Sequence, residues 1–275
     1  MAVNVPTTAF EAFVKEGKYN IMKQQEAFLK QAKGHLRTEL EQYSIKRHEF
    51  PEQNMVAKFV AKEIRETDQT GLLNDLFDYV RAESSLSLIS IDPKLVKESD
   101  VVEMFEPFRL PSTSYVRPYL NKVGKSFLDT QDYLFGGQSI DELLLEIKEV
   151  DLKHKKSLDE YEKVKRLFDH KDYEKLLKFK TTVGSMSRIA HSPSWDVAAL
   201  YKTYGEELLK EFGKVDLAKV DEWVLMGIVP RSVITRNRTV KDIQLDFIVM
   251  ELDVEKRIMG IQRNRRSNLS LIRYA

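Results

Sequence analysis

The sequence predicts a mainly α-helical, multi-helical fold with two packed helical lobes and little or no β-structure. Glycine and proline are scarce, with 11 and 8 residues in a chain of 275, whereas turn-rich β-folds use both freely. Apolar residues recur at helical spacing along most of the chain. Hydrophobic residues make up 42% and charged residues 32%, enough for a core that is covered by charged helix faces.

Residues 1–106 are expected to form an N-terminal helical lobe. Thr8 and Glu11 match a capping box, which opens a first helix that Gly34 is expected to end. Asp92 suits the N-cap of a later helix. Pro51 suits the first turn of another helix. The apolar positions of that helix follow helical spacing: Val56, Phe59, Val60 and Ile64.

Residues 107–138 are expected to form a connector, because they contain three prolines and the pair Gly136–Gly137 but little periodicity. Residues 139–275 then form a C-terminal helical lobe. Its longest helix, or helical hairpin, begins at a capping box of Ser139 and Glu142. A coiled-coil-like heptad seam follows, with steps of four and three residues: Leu143, Ile147, Val150, His154, Ser157, Tyr161, Val164 and Phe168.

Two further helices are expected in this lobe. A short one covers residues 172–183. A long one begins at Thr239, which is paired with Asp242 as its cap. Arg257 interrupts its apolar seam, which comprises Val240, Ile243, Phe247, Met250, Val254 and Ile261.

Several classes of site lack the residues they need. Cysteine is absent, and no two histidines stand four residues apart, so we expect neither a metal site nor a cofactor. The segment from Val123 to Ser126 matches the end of a phosphate-binding loop, but Tyr119 occupies the position where that loop requires a glycine. With no signal peptide and no apolar run of membrane length, the expected location is cytoplasmic.

One loop keeps an enzymatic alternative open. It brings Arg188, His191 and Trp195 within eight residues, together with Ser192 and Ser194. A serine–histidine pair is possible there, although no nucleophile-elbow motif frames it. A helix-capping turn with Trp195 in the core is the other interpretation. The chain is therefore expected not to be an enzyme, with an unrecognised site near His191 as an alternative.

The sharpest charge signal is the basic end of the chain. Residues 231–275 contain ten Lys or Arg against five Asp or Glu, while the whole chain has a net charge of only +1. Arginine clusters can bind phosphate groups, but basic residues near a helix C-terminus also complement the helix dipole. The candidates for anion or nucleic-acid binding are Arg236, Arg238, Arg263, Arg265, Arg266 and Arg273.

The function that these patterns favour is a non-enzymatic protein–protein interaction or assembly factor, with self-association or another protein as partner. The stretch from Phe108 to Thr113 and the charged amphipathic segment from Thr239 resemble bacteriophage morphogenesis proteins. That resemblance covers a small part of the chain and implies an assembly role without assigning any residue. Nucleic-acid binding by the basic end is the alternative.

Overall fold

The structure is a computed structural model that describes residues 5–129, 131–169 and 177–272. The prediction of an α-helical protein with little or no β-structure is wrong, because the chain is 58% helix and 22% strand, with three antiparallel sheets. The strands are β1 Arg47–Phe50, β2 Met55–Thr67, β3 Ile89–Ile91, β4 Ser114–Leu120, β5 Lys178–Lys180, β6 Gly184–Ala190, β7 Gly213–Val215 and β8 Arg238–Glu251. The helices are α1 Val5–Lys15, α2 Lys18–Glu41, α3 Gln69–Tyr79, α4 Ala82–Ser85, α5 Pro93–Glu98, α6 Val102–Phe105, α7 Lys122–Lys125, α8 Ile140–Arg166, α9 Val197–Tyr204, α10 Glu206–Phe212, α11 Leu217–Leu225, α12 Arg231–Arg236 and α13 Leu252–Ile272, with 3-10 turns at Leu86–Leu88, Glu106–Phe108 and Leu167–Asp169.

The chain divides into two compact units, and each is built from three separate stretches. Unit 1 contains Met1–Phe59, Thr113–His191 and Phe247–Leu252. Unit 2 contains Val60–Ser112, Ser192–Asp246 and Asp253–Ala275. The division falls within strands β2 and β8, and the expected connector at residues 107–138 supplies residues to both units.

In unit 1 the long helix α8 follows the sequence closely. The hydroxyl of Ser139 accepts the Glu142 N–H at 3.2 Å, and the Glu142 carboxylate accepts the Ser139 N–H at 2.9 Å, which confirms the capping box. The helix packs against α2, and all eight seam side chains are buried or half-buried. Tyr161 stacks on Phe13, with ring centroids 5.8 Å apart. The heptad pattern therefore marks an internal packing face of unit 1.

The first predicted helix differs from the structure at three points. It begins at Val5, before the proposed cap at Thr8. It breaks at Gly17, whose φ of 78° lies in the left-handed region that glycine adopts without steric cost. The second piece, α2, then runs through Gly34 to Glu41. Glycine tolerates a helix interior at modest cost, so Gly34 alone does not end the helix.

The remaining core of unit 1 lies beneath an antiparallel sheet of order β4-β6-β5. Val116 pairs with Arg188 across β4 and β6, and Phe179 pairs with Met186 across β5 and β6. Val116, Phe179 and Met186 are buried together with Phe168. The helix predicted for residues 172–183 is wrong where the structure can be compared, because β5 occupies that segment; residues 172–176 lie outside the described residues.

Unit 2 has its own apolar core, which α3, α9 and α10 line with leucines and aromatic side chains. Four of its helices, α3, α5, α9 and α11, begin at an aspartate whose carboxylate accepts a backbone N–H. A short antiparallel pair, β3 with β7, crosses the core. A Cβ atom on Gly213 in β7 would lie 2.2 Å from the Leu209 carbonyl oxygen, so only glycine permits this approach.

Two segments that were predicted as helices are long strands. Residues 55–64 form most of β2, and the segment from Val240 to Met250 forms most of β8, so helix begins only at Leu252. Both segments are rich in β-branched residues, which pack well in sheets. In β8 the apolar positions Ile243, Leu245 and Phe247 also alternate with polar ones, a period of two that outweighs the weaker helical spacing.

Candidate functional site

Helix α13, named here the basic helix, is solvated to an unusual degree. Residues 256–268 are all exposed except Gly260, which is half-exposed. Ile258, Met259 and Ile261 leave 40%, 50% and 61% of their surface in contact with water. Before this stretch Leu252 and Glu255 are buried, so the helix is fixed at its beginning and solvated beyond it. A solvated apolar stripe on a helix is typical of a surface that binds a partner.

The charges of the basic helix all have one sign beyond Glu255. Residues 256–272 contain five Lys or Arg and no Asp or Glu. Because an α-helix turns about 100° per residue, Lys256, Arg263 and Arg266 share one face with Met259. Ile258 and Ile261 lie roughly opposite, on either side of Arg265. These three cations form no ion pair with any residue that the structure describes. The helix therefore presents three cations without a described ion-pair partner on one face, and two exposed isoleucines with Arg265 between them on the opposite face.

A second exposed feature is a two-stranded ribbon of residues 60–67 in β2 and residues 238–246 in β8. The side chains at 239–244 are exposed on both faces of the strand, including Val240 and Ile243. Cross-strand ion pairs join Lys62 to Asp246 at 3.8 Å and Lys241 to Glu66 at 2.7 Å. Within the described ranges no third strand pairs with this ribbon. An isolated pair of strands is marginally stable in water, so partner binding would stabilise it.

The predicted arginine cluster is only partly a cluster. Arg236 forms an ion pair with Asp75 at 3.3 Å, and the buried Nε of Arg238 has no hydrogen-bond partner in the described chain. Arg265 donates to the Glu222 carboxylate. Arg263 and Arg266 remain exposed, whereas Arg273 lies outside the described residues. Arg263 and Arg266 are thus the predicted arginines that present a charge to solvent without a carboxylate beside it.

The three residues of the predicted functional loop belong to different units, Arg188 and His191 to unit 1 and Trp195 to unit 2. Arg188 is held inside unit 1, where it donates to the Phe168 carbonyl and to Asp169. His191 is exposed, with its ring 5.0 Å from that of Tyr115. Trp195 belongs to the core of unit 2, where its ring lies 5.7 Å from that of Phe105. The packed position of Trp195 agrees with the interpretation of the loop as a capping turn, in which Asp196 caps α9.

Sequence reasoning missed the exposed ribbon because it assigned both strands to helices. The alternation of polar and apolar residues from Asp242 to Phe247 was the signal that could have identified it. Among the described residues there is no cluster of His, Asp or Glu arranged as a metal site. None of the described helices has the length and apolar character needed to cross a bilayer.

Comparisons of the chain with protein-family models, with curated proteins and with solved structures find no match. The functional argument therefore depends on the geometry and charges of this chain.

Proposed function

We propose that this chain is a non-enzymatic assembly factor, which acts by binding a second copy of itself through the basic helix. The observation that carries the proposal is the exposure of Ile258 and Ile261 beyond Glu255, where residues 256–268 of the helix are exposed or half-exposed. Helices that pack against nothing are marginal in water, since tertiary burial supplies most helix stability. Covering the apolar stripe would stabilise the helix by about 25 cal/mol for each Å² of apolar surface removed from water.

The charge of the basic helix indicates an acidic partner surface, and the chain carries one. Residues 68–106 contain nine Asp or Glu against three Lys or Arg. Within this stretch Leu95 and Val102 are exposed at 42% and 38%, next to the exposed carboxylates of Glu98 and Glu103. This acidic surface, formed by α5, α6 and the residues beside them, contains five Asp or Glu against two Lys within residues 92–106. It therefore offers apolar positions in a surface of net negative charge, although Lys94 lies 4.0 Å from the Glu98 carboxylate. Both properties complement the basic helix.

The two surfaces are different patches of unit 2. When the basic helix of one copy binds the acidic surface of another, the first copy's acidic surface and the second copy's basic helix remain free. Such a contact is heterologous and generates a ring or an open chain of copies rather than a closed two-fold dimer. Repeated head-to-tail association is the behaviour expected of an assembly factor. The ionic part of the contact is screened by salt, so association should weaken as ionic strength rises.

Light scattering across a range of protein concentrations tests the proposal. The wild-type protein should show a mass that rises with concentration, and Ile258→Asp combined with Ile261→Asp should give a monomer. Leu152→Asp is the matched control, because Leu152 is 49% exposed on another long helix. A wild-type protein that stays monomeric at every concentration contradicts the proposal, as does equal association of the double variant.

Charge exchange identifies the partner surface. Arg263→Glu with Arg266→Glu should abolish association, and so should Glu98→Lys with Glu103→Lys on α5 and α6. Mixing these two double variants restores both complementary pairs of surfaces, because the two unchanged surfaces match each other and so do the two reversed ones. Mixed assemblies that contain both variants should therefore form. If the mixture stays monomeric, the acidic surface of α5 and α6 is not the partner.

A second candidate function is nucleic-acid binding by the same helix. The observation that favours it is the cationic face of Lys256, Arg263 and Arg266, which bears no carboxylate. Binding to duplex DNA should weaken steeply with salt, because each neutralised phosphate releases counterions. A variant with alanine at Arg263, Arg265 and Arg266 should lose it. Binding that is absent, or that does not respond to salt, excludes this candidate.

A further inference from the structure

The outer face of the β4-β6-β5 sheet in unit 1 combines aromatic rings with cations. Side chains alternate across a strand, and in β4 the buried Val116 separates the exposed side chains of Tyr115 and Arg117. Tyr115 pairs with Ile189, and Tyr119 pairs with Ser185. The tyrosine face is defined as the outward side chains Tyr115, Arg117, Tyr119, Lys178, Lys180, Ser185 and Ser187.

The register of the sheet places these groups in rows. Arg117 lies opposite Ser187, which in turn lies opposite Lys178 on the far strand. Tyr119 lies opposite Ser185, which lies opposite Lys180. Each row thus runs from an aromatic or guanidinium group on β4, across a hydroxyl on β6, to an ammonium group on β5.

The charge of the tyrosine face has one sign. Strands β4, β5 and β6 contain four Lys or Arg and no Asp or Glu. Arg117, Lys178 and Lys180 form no ion pair with the residues that the structure describes. Arg188, the fourth cation, points to the buried side and binds Asp169 at 3.3 Å. Three cations on one small sheet therefore remain available to an anionic ligand.

The rings of this face are presented as stacking surfaces. Tyr115 and Tyr119 are exposed at 41% and 45%, on the same side of one strand. The guanidinium carbon of Arg117 lies 5.5 Å from the centre of the Tyr119 ring, which limits the movement of that ring. The ring of His191 lies beside Tyr115, with centroids 5.0 Å apart. Exposed aromatic rings on a sheet are the surface on which proteins stack unpaired bases.

A concavity of about 320 Å³ opens at one end of the tyrosine face. Tyr119, Lys178 and Lys180 line it together with Thr181, whose Oγ1 is buried and has no hydrogen-bond partner in the described chain. Its floor depends on Gly184, since a Cβ atom there would lie 2.1 Å from the Tyr119 carbonyl oxygen. The concavity therefore offers two ammonium groups next to an aromatic ring.

We propose that the tyrosine face binds single-stranded nucleic acid, with bases stacked on Tyr115 and Tyr119 and phosphates bound by Lys178 and Lys180. Bases and phosphates together account for both kinds of exposed group, whereas a simple anion would leave the rings unused. Stacking requires unpaired bases, so the ligand is a single strand rather than a duplex. This site is independent of the basic helix and of the proposed self-association.

Fluorescence anisotropy tests this with three labelled probes: a 12-nucleotide oligo(U), an oligo(dT) of the same length and a mixed-sequence DNA duplex. Both single strands should bind more tightly than the duplex, and a difference between the first two shows whether the strand is RNA or DNA. Tyr115→Ala and Tyr119→Ala should each weaken binding about tenfold, in line with stacking by one base. The Tyr119→Phe variant keeps the ring and should bind nearly as the wild type.

Two further variants separate the contributions. Lys178→Gln with Lys180→Gln should reduce the dependence of log K on log salt by about 1.4, since a single strand contributes about 0.7 for each phosphate contact. Tyr79→Ala is the matched control, because Tyr79 is 52% exposed outside this face. Circular dichroism confirms that each variant is folded.

The proposal is wrong if neither single strand binds at low salt, or if Tyr115→Ala and Tyr119→Ala bind as the wild type. It is also wrong if binding is lost only when Arg263 and Arg266 are replaced, because the ligand then sits on the basic helix. Light scattering of the tyrosine variants should match the wild type. Loss of self-association and loss of strand binding are thereby measured separately.

Discussion

Helices α8 and α13 have similar sequences of apolar steps but different environments. In α8 every seam side chain is buried or half-buried, with Leu143 and Ile147 almost without solvent exposure. In α13 the corresponding positions Ile258 and Ile261 are exposed at 40% and 61%. An apolar stripe on a helix therefore predicts that the stripe will be covered, but not whether the cover comes from the same chain or from a partner.

The ends of the two helices also differ, and again α8 has the more stabilising features. Helix α8 begins at a complete capping box and ends with Lys163, Lys165 and Arg166, which complement its dipole. The described part of α13 ends after five cations and has a glycine, Gly260, near its middle. Helix α8 is stabilised locally and by packing, whereas residues 256–268 of α13 are exposed or half-exposed. The following predictions test this contrast.

The largest difference should appear when an apolar side chain is shortened in each helix. Leu144→Ala removes a fully buried side chain from α8 and should lower the free energy of unfolding by about 2–5 kcal/mol. Ile261→Ala should change it by less than about 0.5 kcal/mol in the dilute monomer. Urea unfolding followed by circular dichroism measures both. Equal losses would show that Ile261 is packed in solution and would remove the contrast.

Alkaline pH should affect the seam of α8 and spare the basic helix. Burial, with smaller contributions from Tyr19 and Glu162, raises the pKa of Tyr161 well above its ordinary value near 10. Its contribution to stability is therefore fully present below pH 10 and is lost as the pH rises from there through the raised pKa. Between pH 8 and pH 11 the melting temperature should fall less steeply for Tyr161→Phe than for the wild type, as measured by thermal unfolding. The exposed Tyr79, replaced by phenylalanine, should leave the slope unchanged.

Removing the cap of α8 should have an intermediate effect. Ser139→Ala deletes the hydroxyl that accepts the Glu142 N–H and should cost about 1 kcal/mol of unfolding free energy. Ser139→Gly should cost only a few tenths. Denaturant titration of both variants against the wild type provides the measurement. A loss as large as that of Leu144→Ala would mean that the cap also fixes the packing of α8.

The smallest effect should be a gain in the basic helix. A Cβ atom on Gly260 would meet no atom within 4 Å, so Gly260→Ala should raise helix stability by about 0.5–1 kcal/mol. Amide hydrogen exchange within residues 256–268 should slow by up to about fivefold. Gly184→Ala is the opposite control, since it forces a clash with the Tyr119 carbonyl and should destabilise unit 1. If the exchange rates of residues 256–268 are the same in the Gly260→Ala variant as in the wild type, association already protects this helix.

Local signals predicted what depends on local contacts. The capping box at Ser139, the cap at Asp92 and the seam of α8 were all visible in the sequence and are confirmed. The two caps involve residues within one helical turn, so their interactions form whatever the rest of the chain does. The periodicity of the seam is also local, although its burial depends on α1 and α2. Arg263 and Arg266, predicted as candidates for anion binding, are exposed on α13, which begins at Leu252 rather than at Thr239.

The strands were not predicted, because their pairing is decided far away in the sequence. Strand β2 pairs with β8, about 180 residues further along the chain. Apolar residues such as Val56, Phe59 and Val60 fit a helical spacing as well as a strand, and only the partner strand decides between them. Intrinsic strand preference is weak compared with this long-range context.

By itself the sequence determined the charge asymmetry of the chain, the caps at Ser139 and Asp92 and the apolar periodicity of α8. Only the tertiary structure decided which stripes are covered and which surfaces remain open. The tyrosine face shows the reason: Tyr119, Ser185 and Lys180 lie in one row only when three strands adopt a single register. Likewise, Ile258 and Ile261 are exposed because no described residue covers them. Whether a distant segment covers a side chain is not encoded in the local sequence pattern.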